Sequence, residues 1–135
     1  MTDPAPLPHG FRGELPPARF NMARYCIGRT AVATPDKMAL LVLASPDDAA
    51  PERWSFADLE RAVLAISAGL AERGLARGDR LMIRLDNTSD YALLFFGAIA
   101  AGCVPLAAST QLTGREAEFL MADSGATAVA LSQRL

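Results

Sequence analysis

Residues 54–131 read WSFADLERAVLAISAGLAERGLARGDRLMIRLDNTSDYALLFFGAIAAGCVPLAASTQLTGREAEFLMADSGATAVAL. Helical and strand-like periodicities alternate along this stretch, with glycine at most of the joins. Ser55 offers its hydroxyl to the free N–H groups of a first helical turn, and Asp58 follows three residues on, a variant of the capping box. Leu59, Val63, Ile66 and Leu70 then share one helical face, while Glu60, Arg61, Glu72 and Arg73 take much of the opposite one. Gly74 suits the left-handed residue that closes a helix. The pattern predicts a helix from about Phe56 to Arg73 that buries one stripe.

After the turn from Gly74 to Asp79, Leu81, Ile83 and Leu85 alternate with Met82, Arg84 and Asp86. This predicts a strand over Arg80 to Asp86 with one side wetter near its end. Ser89 is the expected cap of the next helix, with Asp90 suited to the positive end of its dipole. From Ala92 to Ala101 all ten residues are apolar or glycine. That falls well short of the roughly 20 needed to span a bilayer and predicts a helix covered by protein on nearly all sides. Gly102 ends it, and Cys103 to Ala107 supplies a short apolar strand. Thr113 and Glu116 form a capping box, Leu112 and Ala117 occupy the staple positions, and a helix to about Ser124 follows. Gly125 closes that helix before Thr127 to Leu131, a buried strand by composition. Strand, helix, strand, helix, strand with short connections means parallel pairing through right-handed crossovers. The fold class is α/β, an open and mostly parallel sheet with helices on both faces.

The first third is less regular. Residues 1–19 hold five of the nine prolines and read as an extended arm, leaving 20–135 as one α/β unit. Asn21 is placed to cap a helix from Met22 to about Ala33, which Thr34-Pro35-Asp36 would stop. Met38 to Ala44 reads as a strand, and Ser45 to Arg53, with two prolines and three acids, as a surface loop.

Composition bounds the function. A chain of 135 residues that is 51% hydrophobic supports one domain with a modest core. A formal charge of −2, with twelve arginines and one lysine scattered along the chain, gives no reason to expect a nucleic-acid partner. Cys26 and Cys103 have no second cysteine near either, so neither a zinc site nor a disulfide scaffold is expected, and each reads as a buried thiol. His9, the single histidine, lies in the proline-rich arm and leaves no candidate base for a Ser-His-Asp triad. Gly69, Gly74 and Gly78 are spaced wrongly for a dinucleotide fingerprint, which disfavours a simple nucleotide-binding Rossmann domain. The arm also lacks the charged start and apolar centre of a secretory signal, so the expected location is cytoplasmic.

Longer segments carry a resemblance. Trp54-Ser55-Phe56-Ala57-Asp58-Leu59, Gly74 to Ile83 and Asn87-Thr88-Ser89-Asp90-Tyr91 resemble the amino-terminal subdomain of the AMP-dependent synthetase and ligase family. So do Phe95 to Leu106, Leu112-Thr113 and Ala122-Asp123-Ser124-Gly125-Ala126. Phe20 to Tyr25 and Thr34 to Leu40 resemble that family's lead-in helix and first strand. The order and spacing of the pieces, over about Phe20 to Leu131, make the whole specific.

The resemblance implies a carboxylic acid–CoA ligase. A carboxylate attacks ATP to give an acyl-adenylate and pyrophosphate, a thiol such as coenzyme A takes the acyl group, and Mg2+ accompanies ATP. The lead-in and Thr110-Gln111-Leu112-Thr113 look most like bacterial acyl-CoA or benzoate-CoA ligases. The family's phosphate loop ending in Pro-Lys, its adenine and magnesium motifs and its carboxy-terminal lysine have no counterpart in this sequence, so no catalytic residue or metal ligand is assigned. The expectation is an amino-terminal portion that alone neither binds ATP tightly nor catalyses adenylation; micromolar affinity in calorimetry with Mg-ATP would contradict it. By position, the connection after Cys103 to Ala107 matches the family's tunnel for the pantetheine arm of CoA, which makes Ser109, Thr110 and Gln111 the binding candidates. Expected partners are the carboxylic acid and CoA through the complete enzyme, and the rest of the synthetase or a second copy over exposed apolar surface. The alternatives are a non-catalytic α/β interaction module derived from the family, or part of a peptide-synthetase adenylation domain.

Overall fold

The computed structural model describes residues 17–133; His9 and most of the proline-rich arm lie outside them. Helical backbone begins after Asn21, whose side-chain oxygen accepts from Arg24 N at 3.1 Å. A π turn, Arg24–Gly28, runs directly into helix α1 (Arg29–Ala33). The expected helix is therefore present but carries a wider turn that helical periodicity does not reveal. Cys26 is exposed on this turn, contrary to the buried thiol expected there, whereas Cys103 is buried.

Strand β1 (Met38–Val42) pairs antiparallel with β2 (Glu52–Ser55), whose first two residues fall in the expected surface loop. The turn between them is organised by Asp48, whose carboxylate accepts from Ala44 N and Ala50 N. Helix α2 (Phe56–Glu72) starts as expected: the Ser55 hydroxyl accepts from Asp58 N at 3.1 Å and donates to the Asp58 carboxylate at 2.7 Å.

The second sheet is parallel and ordered β4-β3-β5, built from β3 (Arg80–Arg84), β4 (Val104–Ala107) and β5 (Ala128–Leu131). The expected α/β fold is present, with its open parallel sheet over β3 to β5 and a separate antiparallel hairpin of β1 and β2. Helices α3 (Ser89–Ala101) and α4 (Gly114–Ser124) make the crossovers. The chain goes from β3 to β4 on one side, then back across β3 to β5 on the other. With both crossovers right-handed, α3 and α4 fall on opposite faces.

As the central strand, β3 is buried on both sides from Leu81 to Arg84, so the wetter side expected near its end does not exist. Leu81 and Ile83 pack with Ala98 of α3 and with Leu70, Leu75 and Leu94. A second cluster joins Leu59 and Val63 of α2 and Leu93 of α3 to Ala23 and Ile27. Helix α3 belongs to both clusters, and no residue from Tyr91 to Gly102 is exposed. Toward the α4 side, Val129 and Leu131 of β5 and Phe119 of α4 remain exposed, which corrects the fully buried reading of β5.

The α2–α3 contact has no slack at Gly97. A Cβ there would stand 2.4 Å from Ile66 Cγ2 and 2.9 Å from Ile66 Cβ. Gly97→Ala gains about 1 kcal/mol of helix propensity, but forcing the branched Ile66 aside costs about 1–3 kcal/mol. We expect a net loss of stability on urea denaturation, and Ile66→Ala to cost less in the Gly97→Ala background than alone. Additive effects of the two changes would contradict the close-contact account.

Candidate functional site

Open α/β sheets bind ligands outside the carboxyl ends of their strands, where neighbouring strands send their connections to opposite faces. Here that place lies between β3 and β4. The connection after β3 leads to α3, and the one after β4 leads to α4. Ser109, Thr110 and Gln111 lie in this second connection, beside the carboxyl end of β3, where Ala108 N donates to Ile83 O at 2.9 Å. The three sequence candidates are consecutive in this loop, at the end of the sheet where this topology concentrates ligand contacts.

A residue that the sequence reading gave no role holds this loop in place. Arg84, buried at the end of β3, donates from Nε to Ser109 O and from Nη2 to Thr110 O, each at 3.2 Å, and from Nη2 also to Leu112 O. A buried cation needs acceptors, and three main-chain carbonyls supply them. The available signal was an arginine inside an apolar strand, but alternation alone suggested a solvated side.

Further hydrogen bonds fix the loop internally. Gln111 N donates to the Ser109 hydroxyl at 3.1 Å, so Ser109 is engaged in the turn. Thr110 is half-buried, and Gln111 is exposed. The loop then enters α4 through a complete capping box. Glu116 N donates to the Thr113 hydroxyl, while Thr113 N donates to the Glu116 carboxylate at 2.7 Å and the Thr113 hydroxyl does so at 2.8 Å.

Across the crevice, the start of α3 is set differently from expectation. Thr88 is the N-cap residue but makes no side-chain cap. Ser89 is the first helical residue, and its buried hydroxyl donates instead to Glu52 Oε1 at 2.9 Å. Trp54 Nε1 donates to the same oxygen at 2.8 Å, so the hairpin and the α3 start are tied through one carboxylate. Cys103 lies away from this crevice, at the start of β4. Burial first, and the charge of Asp79 second, push its thiol above the ordinary range, which disfavours a thiolate. Among the described residues, no group of three or more His, Cys, Asp or Glu is placed to hold a metal. None of the described helices is long and apolar enough to cross a membrane.

Residues 27–135 match the family model for the AMP-binding enzyme. The chain belongs to the AMP-binding enzyme family. The part it represents is the amino-terminal subdomain, as the sequence reading inferred. It is 33% identical over 122 residues to benzoate–CoA ligase of Thauera aromatica, covering 88% of this chain and 22% of that protein. It is 37% identical over 75 residues to 4-hydroxybenzoate–CoA/benzoate–CoA ligase of Rhodopseudomonas palustris, covering 55% of this chain and 14% of that one. The chain thus spans less than a quarter of the length of these relatives. Among solved structures, the N-terminal domain of FACL13 from Mycobacterium tuberculosis superposes with a TM-score of 0.72 at 27% identity, over 82% of this chain and 27% of that one. A fatty acid AMP ligase from Legionella pneumophila gives a TM-score of 0.73 at 19% identity, over 83% of this chain and 20% of that one, which shows the shared fold.

The geometry makes two expectations. Arg84→Met leaves loop carbonyls without their donor, so stability should fall by about 1–3 kcal/mol, with faster hydrogen exchange over residues 109–113. Wild-type exchange in the variant would contradict the clamp. The Thr113 amide and hydroxyl hold the Glu116 carboxyl below its ordinary value of 4.5. Its contribution is then present in full above that pH and lost as pH falls through the lower folded value. Glu116→Gln should flatten the fall in stability below about pH 4.5, as read by urea denaturation across the acid range; an unchanged slope would count against this coupling.

Proposed function

We propose that this chain forms the supporting scaffold of a carboxylic acid–CoA ligase of the benzoate type, acting in the cytoplasm. The enzyme joins a carboxylic acid to CoA through an acyl-adenylate made from ATP. The chain's own contribution is to hold the wall of the CoA passage. Similarity to two benzoate–CoA ligases supports the aromatic acid as substrate class. The observation that carries the reading is the position of Ser109, Thr110 and Gln111 at the carboxyl ends of β3 and β4, on a loop held by Arg84.

The loop suits a thin, amide-bearing chain such as pantetheine. Because Arg84 takes carbonyls of Ser109, Thr110 and Leu112, the main chain is fixed while the side chains of Thr110 and Gln111 remain at the rim. Ser109 is short and already engaged with Gln111 N, so it occupies little of the passage. ATP, with its Mg2+, supplies the activation of the carboxylate when bound by the complete enzyme. We assign no residue of this chain to that step.

In the complete enzyme, Thr110→Trp should leave benzoate-dependent pyrophosphate release near wild type and lower thioester formation at least tenfold, measured separately. Intact thioester formation would refute the passage. Adenylation that favours long-chain fatty acids over benzoate would refute the assigned substrate class while leaving the passage open to its own test.

A further inference from the structure

The arginines are scattered in sequence, yet the fold gathers three of them. Arg19 before the π turn, Arg24 at its start and Arg77 in the α2–β3 turn line one open cleft of about 850 Å³ at the carboxyl end of α3. Phe20 and Ile99 contribute apolar wall, and no Asp or Glu lines the cleft. None of the three guanidiniums is in an ion pair or hydrogen bond with another described residue. The three like charges thus stand around one cleft whose lining holds no carboxylate.

Basic side chains often serve the negative end of a helix. Here three of the last four carbonyls of α3, those of Ala98, Ile99 and Ala100, are already occupied. Gly102 N donates to Ala98 O and Ile99 O, and Cys103 N donates to Ala98 O at 2.9 Å. Asn21 Nδ2 donates to Ile99 O at 2.9 Å and to Ala100 O at 3.4 Å. The arginines are thus not needed as caps. The stem of Arg77 also lies close over Gly102, where a Cβ would stand 3.0 Å from Arg77 Cγ.

We propose that this cleft binds a phosphate-bearing anion. Guanidinium groups pair with phosphate oxygens through paired N–H donors, and the arginines come from two separate chain segments, the lead-in and the α2–β3 turn, around one space. The ring of Phe20, which lines the cleft and packs tilted against Tyr25 with centroids 5.3 Å apart, is the partner for a ring carried on the phosphate. Since α3 runs from the carboxyl end of β3 to the start of β4, this cleft lies at the opposite end of the strands from Ser109 to Gln111. It is independent of the proposed ligase reading.

Titration calorimetry of the 135-residue chain with sodium pyrophosphate, and separately with AMP, at constant ionic strength tests the site. Both probes should bind saturably but more weakly than micromolar, as befits a chain that alone does not bind ATP tightly. Arg77→Gln alone should weaken both, and the combined Arg19→Gln, Arg24→Gln and Arg77→Gln variant should weaken both at least tenfold. Phe20→Ala should weaken AMP and leave pyrophosphate unchanged, while Arg53→Gln should alter neither. Circular dichroism establishes that each variant is folded. Absence of saturable binding by the wild-type chain, or a triple variant that binds as the wild type does, would overturn the proposal; equal insensitivity of AMP and pyrophosphate to Phe20→Ala would overturn the ring contact.

Discussion

Helix α3 has no polar face to give to water, and the remainder of the described fold is arranged around that fact. Its polar residues are confined to the start, while Leu93, Gly97 and Ala98 are buried and the others through Ala101 are covered at least in part. A surface helix needs one apolar stripe, but this one needs partners on more than one side. α2 and the helical lead-in cover one flank, and the odd-numbered residues of β3 cover another. Gly97 lets α2 approach closely enough for Ile66 to fill the space a side chain would have taken.

From that packing follows the position of the crevice. With α3 fixed on the Leu81 and Ile83 face, the return crossover through α4 lies on the face of Met82 and Arg84. The two connections therefore diverge at the carboxyl ends of β3 and β4. Arg84 serves both requirements there: its aliphatic stem lies in the buried strand, and its head reaches the carbonyls of the diverging loop. Membership of the AMP-binding enzyme family agrees with this geometry, and most of each relative's length lies outside the matched region.

Local rules were legible where one residue settles the backbone. The Thr113 and Glu116 capping box, the Ser55 cap and the left-handed Gly102 and Gly125 all stand as read. Signals failed where a distant partner decided. Ser89 has the chemistry of a cap, but Glu52 of the hairpin takes its hydroxyl. β2 is short and follows a loop rich in proline and acid, so its pairing with β1 left little trace in composition. The π turn leaves the apolar pattern nearly helical, and Arg84 looked solvated because alternation says nothing about what covers a face. The candidate loop was found through family resemblance, whereas its support by Arg84 required three-dimensional proximity.

Arg84 grips the 109–112 segment through peptide oxygens rather than side chains. The shape of that segment is therefore largely decoupled from what is written at Thr110 and Gln111. Such a loop is well suited to diversification: a library randomised at these two codons would vary side-chain bulk and polarity on a preserved frame without redesigning the sheet.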